Sequence, residues 1–213
     1  MKKIKLYDCI IWVITLILIS LIFTLPDTVP IHWDNNFKVD AYGNRNTFLI
    51  LALLPISIYY GILFTKYIDP KKKNFEGREK IFKIFRNGLS GFFVVLALFF
   101  YYLILNPEAD IQQLFIILIG IFMLGMGNYL PKVPQNYYIG IKTSWALSSP
   151  YVWKRTHKMG GYSFAIAGLL MIVLSFLQIE NLMTWMLVII LISSGITVWY
   201  SYNVYQNKPK DID

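Results

Sequence analysis

The sequence predicts an all-α integral membrane protein, a bundle of six transmembrane helices with cytoplasmic N- and C-termini. Three observations carry that expectation. The chain is 56% hydrophobic and only 15% charged, where soluble domains carry roughly 25% charged residues. Its apolar residues form six uninterrupted blocks, at about Ile10–Leu25, Thr47–Thr65, Gly88–Leu105, Ile111–Leu130, Met159–Leu177 and Leu182–Tyr205. About 20 such residues suffice for a helix to cross a hydrocarbon core of roughly 30 Å. Finally, with the N-terminus inside, 18 of the 20 Lys and Arg residues fall on the inner side, leaving only Lys38 and Arg45 outside. That asymmetry is the positive-inside pattern, and the reverse topology would break it at every connection.

The first block follows Lys2, Lys3 and Lys5 and could pass for a secretory signal. Its apolar run is long, and Thr24-Leu25-Pro26-Asp27 offers no small-x-small cleavage site, so it reads as a retained span. The outer loop Pro26–Asn46 follows. Pro26 and Pro30 exclude regular helix, and Asn35-Asn36 and Tyr42-Gly43-Asn44 are turn chemistry. A polar cap between two antiparallel helices needs fewer residues, and long ordered loops tend to be functional. The ligand candidates there are Pro30, His32, Trp33, Asp34 and Asp40, with His32–Asp34 as the available polar pair.

Pro55 lies in the middle of the second block and predicts a kink, with a neighbouring helix satisfying the freed carbonyl. The segment Lys66–Arg86 holds eight basic and three acidic residues. It reads as an anchor to anionic lipid, with docking of a cytosolic partner as the alternative; Lys71, Lys72, Lys73 and Arg78 are the candidates for either role. Asn106-Pro107-Glu108-Ala109-Asp110 is a tight outer turn in which Asp110 is placed to cap the next helix. A second tight turn falls at Glu180-Asn181. The expected organisation is a two-span hairpin over 1–70, a basic loop over 71–87 and a four-span region over 88–213.

Between the fourth and fifth blocks lies Asn128–Gly161, NYLPKVPQNYYIGIKTSWALSSPYVWKRTHKMGG, too polar to span and too varied for a tether. Pro131 and Pro134 stop the fourth helix. Ser148-Ser149-Pro150 predicts a Ser-capped start with Pro at the first helical position. The helix would run along the inner interface over Tyr151–His157 and continue into the fifth span. Tyr137, Tyr138, Trp145, Tyr151 and Trp153 suit an interfacial aromatic belt. Gly161, Ala165 and Gly168 share one helix face and predict close helix packing.

The chemistry open to these residues is narrow. None of the six blocks contains Asp, Glu, Lys, Arg or His, which argues against an ion-coupled pump. The two histidines, His32 and His157, fall on opposite sides, and no set of converging zinc ligands is apparent. No nucleophile–base pair or phosphate loop is present. No enzyme activity and no cofactor are expected, and His157 reads as an interfacial hydrogen-bonder. Cys9 is alone, so no intrachain disulfide can form. The net charge of +8 is mostly a topology signal, so no direct nucleic-acid partner is expected.

The long inner segment also resembles a known family. Asn128-Tyr129-Leu130-Pro131-Lys132-Val133, Asn136-Tyr137-Tyr138-Ile139-Gly140-Ile141-Lys142-Thr143, Trp145-Ala146-Leu147-Ser148-Ser149, Val152-Trp153 and Thr156-His157-x-x-Gly160-Gly161 resemble the signature of the SdpI family, bacterial multi-span immunity proteins. The first hairpin resembles a small module often found at their N-terminus, through Leu25-Pro26-Asp27 and Val29-Pro30-Ile31-His32-Trp33. That module commonly has a Gly after the His-aromatic pair, where this chain has Asn35-Asn36-Phe37.

The resemblance implies a multi-pass protein of the bacterial plasma membrane that protects the cell from a secreted membrane-active peptide toxin met on the outer face. It also implies signalling by recruitment of a small winged-helix repressor on the cytoplasmic face. The family-motif residues are Asn128, Tyr129, Pro131, Asn136, Gly140, Thr143, Trp145, Ser148, Trp153, Thr156, His157, Gly160 and Gly161. The residues themselves leave two alternatives open: a solute or lipid transporter or channel, and a membrane enzyme using Asn128, Asn136 and His157.

Overall fold

The computed structural model describes residues 6–177 and 179–209. Lys2, Lys3, Lys5 and Lys210, counted above on the inner side, lie outside the described residues. Among the described residues seven α-helices occur in chain order: α1 (Leu6–Ser20), α2 (Phe48–Ile68), α3 (Glu79–Leu105), α4 (Gln112–Tyr129), α5 (Ser144–Ser148), α6 (Pro150–Ser175) and α7 (Leu182–Gln206). All but the short α5 are long and apolar enough to cross a membrane. Only about a fifth to a third of each span's residues are buried within the protein, from 22% to 33%. Side chains such as Phe23, Ile50, Leu191 and Trp199 point outward. Such wide apolar surfaces suit a lipid solvent and would be untenable in water.

Three of these helices begin well before their apolar blocks. Asp8 lies in the first turn of α1, Glu79 to Arg86 in α3 and Lys154 to Lys158 in α6. Helical backbone bonding does not require apolar side chains, so each helix continues through the polar zone at its end. Pro55 sits inside α2. Ser90 Oγ of α3 donates at 2.8 Å to the carbonyl of Pro55 itself, not to the Leu51 carbonyl that the proline ring frees one turn earlier. Asp110 does not cap α4: the capping position is Ile111, with no side-chain bond.

The chain forms two compact units that interleave in sequence. The first comprises 1–64 and 83–110, hence α1, the connection to α2, most of α2 and most of α3. The loop after α1 is a β-hairpin, with β1 (Thr28–Trp33) antiparallel to β2 (Val39–Asn44) and Thr28 opposite Asn44. Val29 of β1 enters a core with Leu18, Ile22, Phe48, Ala52, Ala97 and Ile104. At the hairpin tip, Asp34 Oδ1 accepts from the amides of Asn36 and Lys38 at 2.8 and 2.9 Å. Phe37 takes the left-handed conformation, φ 62°, at the tip where the similar module commonly carries glycine. Elsewhere in this unit the Arg86 guanidinium lies 4.0 Å from the centre of the Tyr59 ring, and Tyr59 donates to Asp8 Oδ1 at 2.9 Å. Burying a guanidinium is tolerable when it keeps such a π face and the Asn87 Oδ1 acceptor at 3.1 Å.

The second unit comprises 65–82 and 111–213. Helix α6 is its centre, with α4 on one side and α7 on another. The α4–α6 contact is a seam of small residues, as the Gly161, Ala165, Gly168 spacing predicts. A Cβ on Gly127 would lie 2.6 Å from both the Gly161 carbonyl and the Ala165 amide. One on Gly120 would lie 2.8 Å from the Gly168 carbonyl. Backbones this close leave no room for side chains, and the dispersion gained substitutes for the hydrophobic drive that lipid cannot supply. Below the seam, Ile116, Met123, Ala167, Met171, Leu182 and Met186 form the apolar core.

Candidate functional site

The motif Asn128–Gly161 is ordered throughout the second unit and is built around two buried polar side chains. Asn136, fully buried, satisfies its whole amide locally. Its Nδ2 donates to the Pro134 and Ile139 carbonyls at 2.8 and 2.9 Å. Its Oδ1 accepts from the Tyr138 and Ile139 amides at 2.8 and 2.6 Å. Two prolines cannot donate, and a coil cannot pair its own backbone, so one carboxamide replaces the missing ladder.

The second is His157, also fully buried. Ile141 N–H donates to its Nε2 at 3.0 Å, and its Nδ1 meets the Trp153 carbonyl at 2.9 Å. An Nε2 that accepts and an Nδ1 that donates define the neutral Nδ1–H tautomer. The ring stacks on Trp153 with centroids 3.9 Å apart, and Trp153 Nε1 donates to the Val133 carbonyl at 2.9 Å. Gly140, at φ +108°, abuts the Nε2 edge of the imidazole, and a Cβ there would run into Nε2. Gly160 leaves space for Ile141 in the same way. Thus His157 is a hydrogen-bonder, as the sequence suggests, but it is buried among α6 and the coil. Trp153 likewise leaves the expected aromatic belt for the interior, while Tyr137 and Tyr138 stay exposed. A buried imidazole recovers its desolvation cost through two bonds and a stack, which a lone histidine code cannot reveal.

Around this core the remaining motif residues take supporting places. Thr143 caps α5 by accepting from the Ala146 amide at 3.1 Å and reaches Ser201 Oγ on α7 at 2.6 Å. Trp145 stands edge-on to Tyr202 of α7, 5.1 Å between centroids. Pro131 lies against Gly161. Tyr129 carries Lys132 over its ring at 4.8 Å. Asn128 is exposed at the end of α4, so it does not join Asn136 and His157. Ser148 bonds its own turn, at the Trp145 carbonyl. Pro150 is the first residue of α6, as predicted, but Ser149 makes no side-chain cap; its hydroxyl and that of Thr156 are buried without a recorded partner.

Two buried residues escaped the sequence reading. Asp69 accepts from the Lys71 amide at 2.7 Å and from the Tyr137 amide at 3.0 Å, tying the basic segment to the motif. Gln135 donates to the Ala146 and Leu147 carbonyls at 2.9 and 3.0 Å, and its own carbonyl receives Asn74 Nδ2 at 2.8 Å. Lys71 adds a bond to the Leu147 carbonyl at 3.2 Å. The one available signal was Asp69-Pro70, an acid beside a helix stop in an otherwise basic run. Of the other basic candidates, Lys72, Lys73 and Arg78 are exposed.

In the first unit the outer-loop candidates divide. His32 pairs with Asp40 across the hairpin at 2.6 Å rather than with Asp34, whose carboxylate is engaged in the tip. Irregular register on both sides of His32 brings it opposite Ala41, beside Asp40. Both side chains are exposed. Pro30 is buried, and Trp33 rests on Phe100 at 5.5 Å with a buried Nε1 that has no recorded partner. Among the described residues no group of three or more His, Cys, Asp or Glu could hold a metal ion.

Residues 132–201 match the model of the SdpI/YfhL protein family, and residues 9–56 match a domain of unknown function, DUF1648. The chain is 27% identical over 182 residues to Immunity protein SdpI of Bacillus subtilis (strain 168), covering 85% of this chain and 86% of that protein. No solved structure matches.

Proposed function

From the premise that this multi-pass protein of the bacterial cell membrane carries an SdpI/YfhL family region, we propose that it is an immunity protein that protects its cell from a secreted membrane-active peptide. The carrying observation is the similarity to an immunity protein along most of both chains, which supports a membrane immunity function. In this reading both termini are cytoplasmic, following the placement of 18 of 20 basic residues. The hairpin then faces outward and presents His32, Trp33 and Asp40 to the peptide, with Pro30 and Asp34 holding its shape. The family motif faces inward, and the basic residues beside it, Lys71, Lys72, Lys73 and Arg78, meet either anionic lipid or a cytosolic winged-helix repressor.

The buried geometry of the motif favours binding over catalysis. Both His157 nitrogens are engaged and the ring is fully buried, so no substrate proton can reach it without unfolding the coil. A transporter reading loses the glycines as support, because they are occupied in the α4–α6 seam. The test is expression in a sensitive bacterium followed by challenge with membrane-active peptides. Survival should rise for at least one peptide; unchanged killing across the panel would reject the reading. Capture of a winged-helix repressor at the membrane only during challenge tests the signalling half separately.

A further inference from the structure

The second unit contains a cavity of about 890 Å³ between the segment after α2 and the start of the motif. Five cationic side chains line it, Lys71, Lys73 and Arg78 from one side and Lys132 and Lys154 from the other, and no carboxylate does. The neutral donors Asn74 and Gln135 complete its polar wall. None of the five takes part in a recorded ion pair among the described residues. Asp69, the acid next to Lys71, is turned away, its two oxygens used by backbone amides. Gathering five like charges around one hollow raises their mutual repulsion, which a bound anion would relieve.

The position of the cavity narrows the anion further. Pro70 follows the end of α2, Ile81 lies in the first turn of α3, Pro131 ends α4 and Pro150 begins α6, and all four line it. The cavity therefore opens where helices end, among the polar turns that flank the apolar blocks. Polar turns that flank spans border the headgroup zone, and Lys and Arg are the side chains that take phosphate.

We propose that this cavity is a discrete binding site for a phosphate-bearing anion. The site differs from diffuse attraction between basic loops and a charged membrane in being saturable and in depending on particular cations. The phosphate comes either from the headgroup of an anionic phospholipid or from a soluble phosphate ester, and the two sources separate experimentally.

The full chain is reconstituted in phosphatidylcholine nanodiscs carrying increasing fractions of phosphatidylglycerol, and retained lipid is counted by native mass spectrometry. A parallel arm titrates glycerol phosphate into protein held in pure phosphatidylcholine, at constant ionic strength. Each arm is repeated with K73Q/R78Q/K154Q and with K72Q/K80Q/K158Q, which removes the same charge from residues outside the cavity. Saturable binding in either arm is expected, weakened about tenfold or more by the cavity triple and less than about twofold by the control. Saturation in the first arm alone identifies a lipid headgroup, and saturation in the second a soluble ester. The proposal is overturned if neither arm saturates or if both triples lose binding equally. It is also overturned if polyglutamate, which has no phosphate, binds in place of both, since the cavity would then be a protein-docking face. Substituted residues are exposed, and an unchanged thermal transition for each triple verifies the fold; the single variant K154Q serves if a triple fails it.

Discussion

Gly140→Ala should be among the most damaging small substitutions in the protein, and the structure says why in two separable parts. A non-glycine residue at φ +108° costs on the order of 1–3 kcal/mol in backbone strain. The new methyl would also run into His157 Nε2, forcing the ring aside and breaking its bond from Ile141 N–H. A buried amide left unpaired costs about 1–3 kcal/mol more. The expected total is roughly 2–6 kcal/mol. His157→Ala alone also destabilises, because it opens a cavity and strands the Ile141 amide and the Trp153 carbonyl. In the double variant, however, the methyl no longer meets a ring, so only the strain part remains. The coupling should therefore be at least about 1 kcal/mol, within the range seen for contacting residues. Equilibrium unfolding of the four proteins in detergent, followed by fluorescence with Trp153 as a local reporter, measures the cycle. Additive losses would refute the claim that Gly140 exists to make room for the imidazole.

Other outcomes follow from the same geometry. Gly161→Val should break the α4–α6 seam and cost several kcal/mol, whereas Gly125→Ala on the same α4, with open space around it, should be neutral or gain up to ~1 kcal/mol from helix propensity; thermal melts of both decide it. Asn136→Ala should lose about 2–4 kcal/mol, because two amides and two carbonyls lose their partner together, and hydrogen exchange at Tyr138 and Ile139 should rise. His32→Ala should change stability by no more than ~1 kcal/mol, since the pair with Asp40 is exposed. If the hairpin meets the peptide, the same variant should reduce survival in the challenge assay at unchanged protein level.

The spans were legible because a bilayer imposes one blunt requirement, roughly 20 apolar residues in a row, that composition answers directly. Helix stops at Pro131 and Pro134, the Pro150 start and the Gly161–Gly168 seam were legible too, since proline geometry and small-residue spacing act locally. The hairpin was not. Val29, Trp33 and Val39 are strand-forming, but Pro30 and the turn residues between them read equally as irregular loop. Nor did the sequence reveal that Trp153 and His157 stack in the interior, or that His32 takes Asp40 as partner. The His32–Asp40 pair and the Ile141–His157 bond join positions 8 and 16 residues apart, where no period operates; Trp153 and His157, one helical turn apart, share a face of α6, but the spacing does not say that the coil buries that face. The two caps fail differently: α4 starts one residue later than Asp110 requires, so Ile111 takes the capping position, whereas Ser149 holds the capping position but its hydroxyl makes no cap bond.

The unbroken course of α6 has a mechanical consequence. Its 26 residues run from the rim of the Asn128–Gly161 motif through the seam without a gap, a rod of about 39 Å at 1.5 Å per residue. The His157 ring is clamped to that rod near one end, and the glycine seam forms a smooth bearing further along. A tilt of about 10° about the far end would sweep the His157 position, about 27 Å away, by roughly 5 Å, close to one helical pitch of about 5.4 Å. Contacts as short as those of His157 break within a fraction of that travel. The helix is thus geared as a lever whose short-range clamp reads out small reorientations of the span.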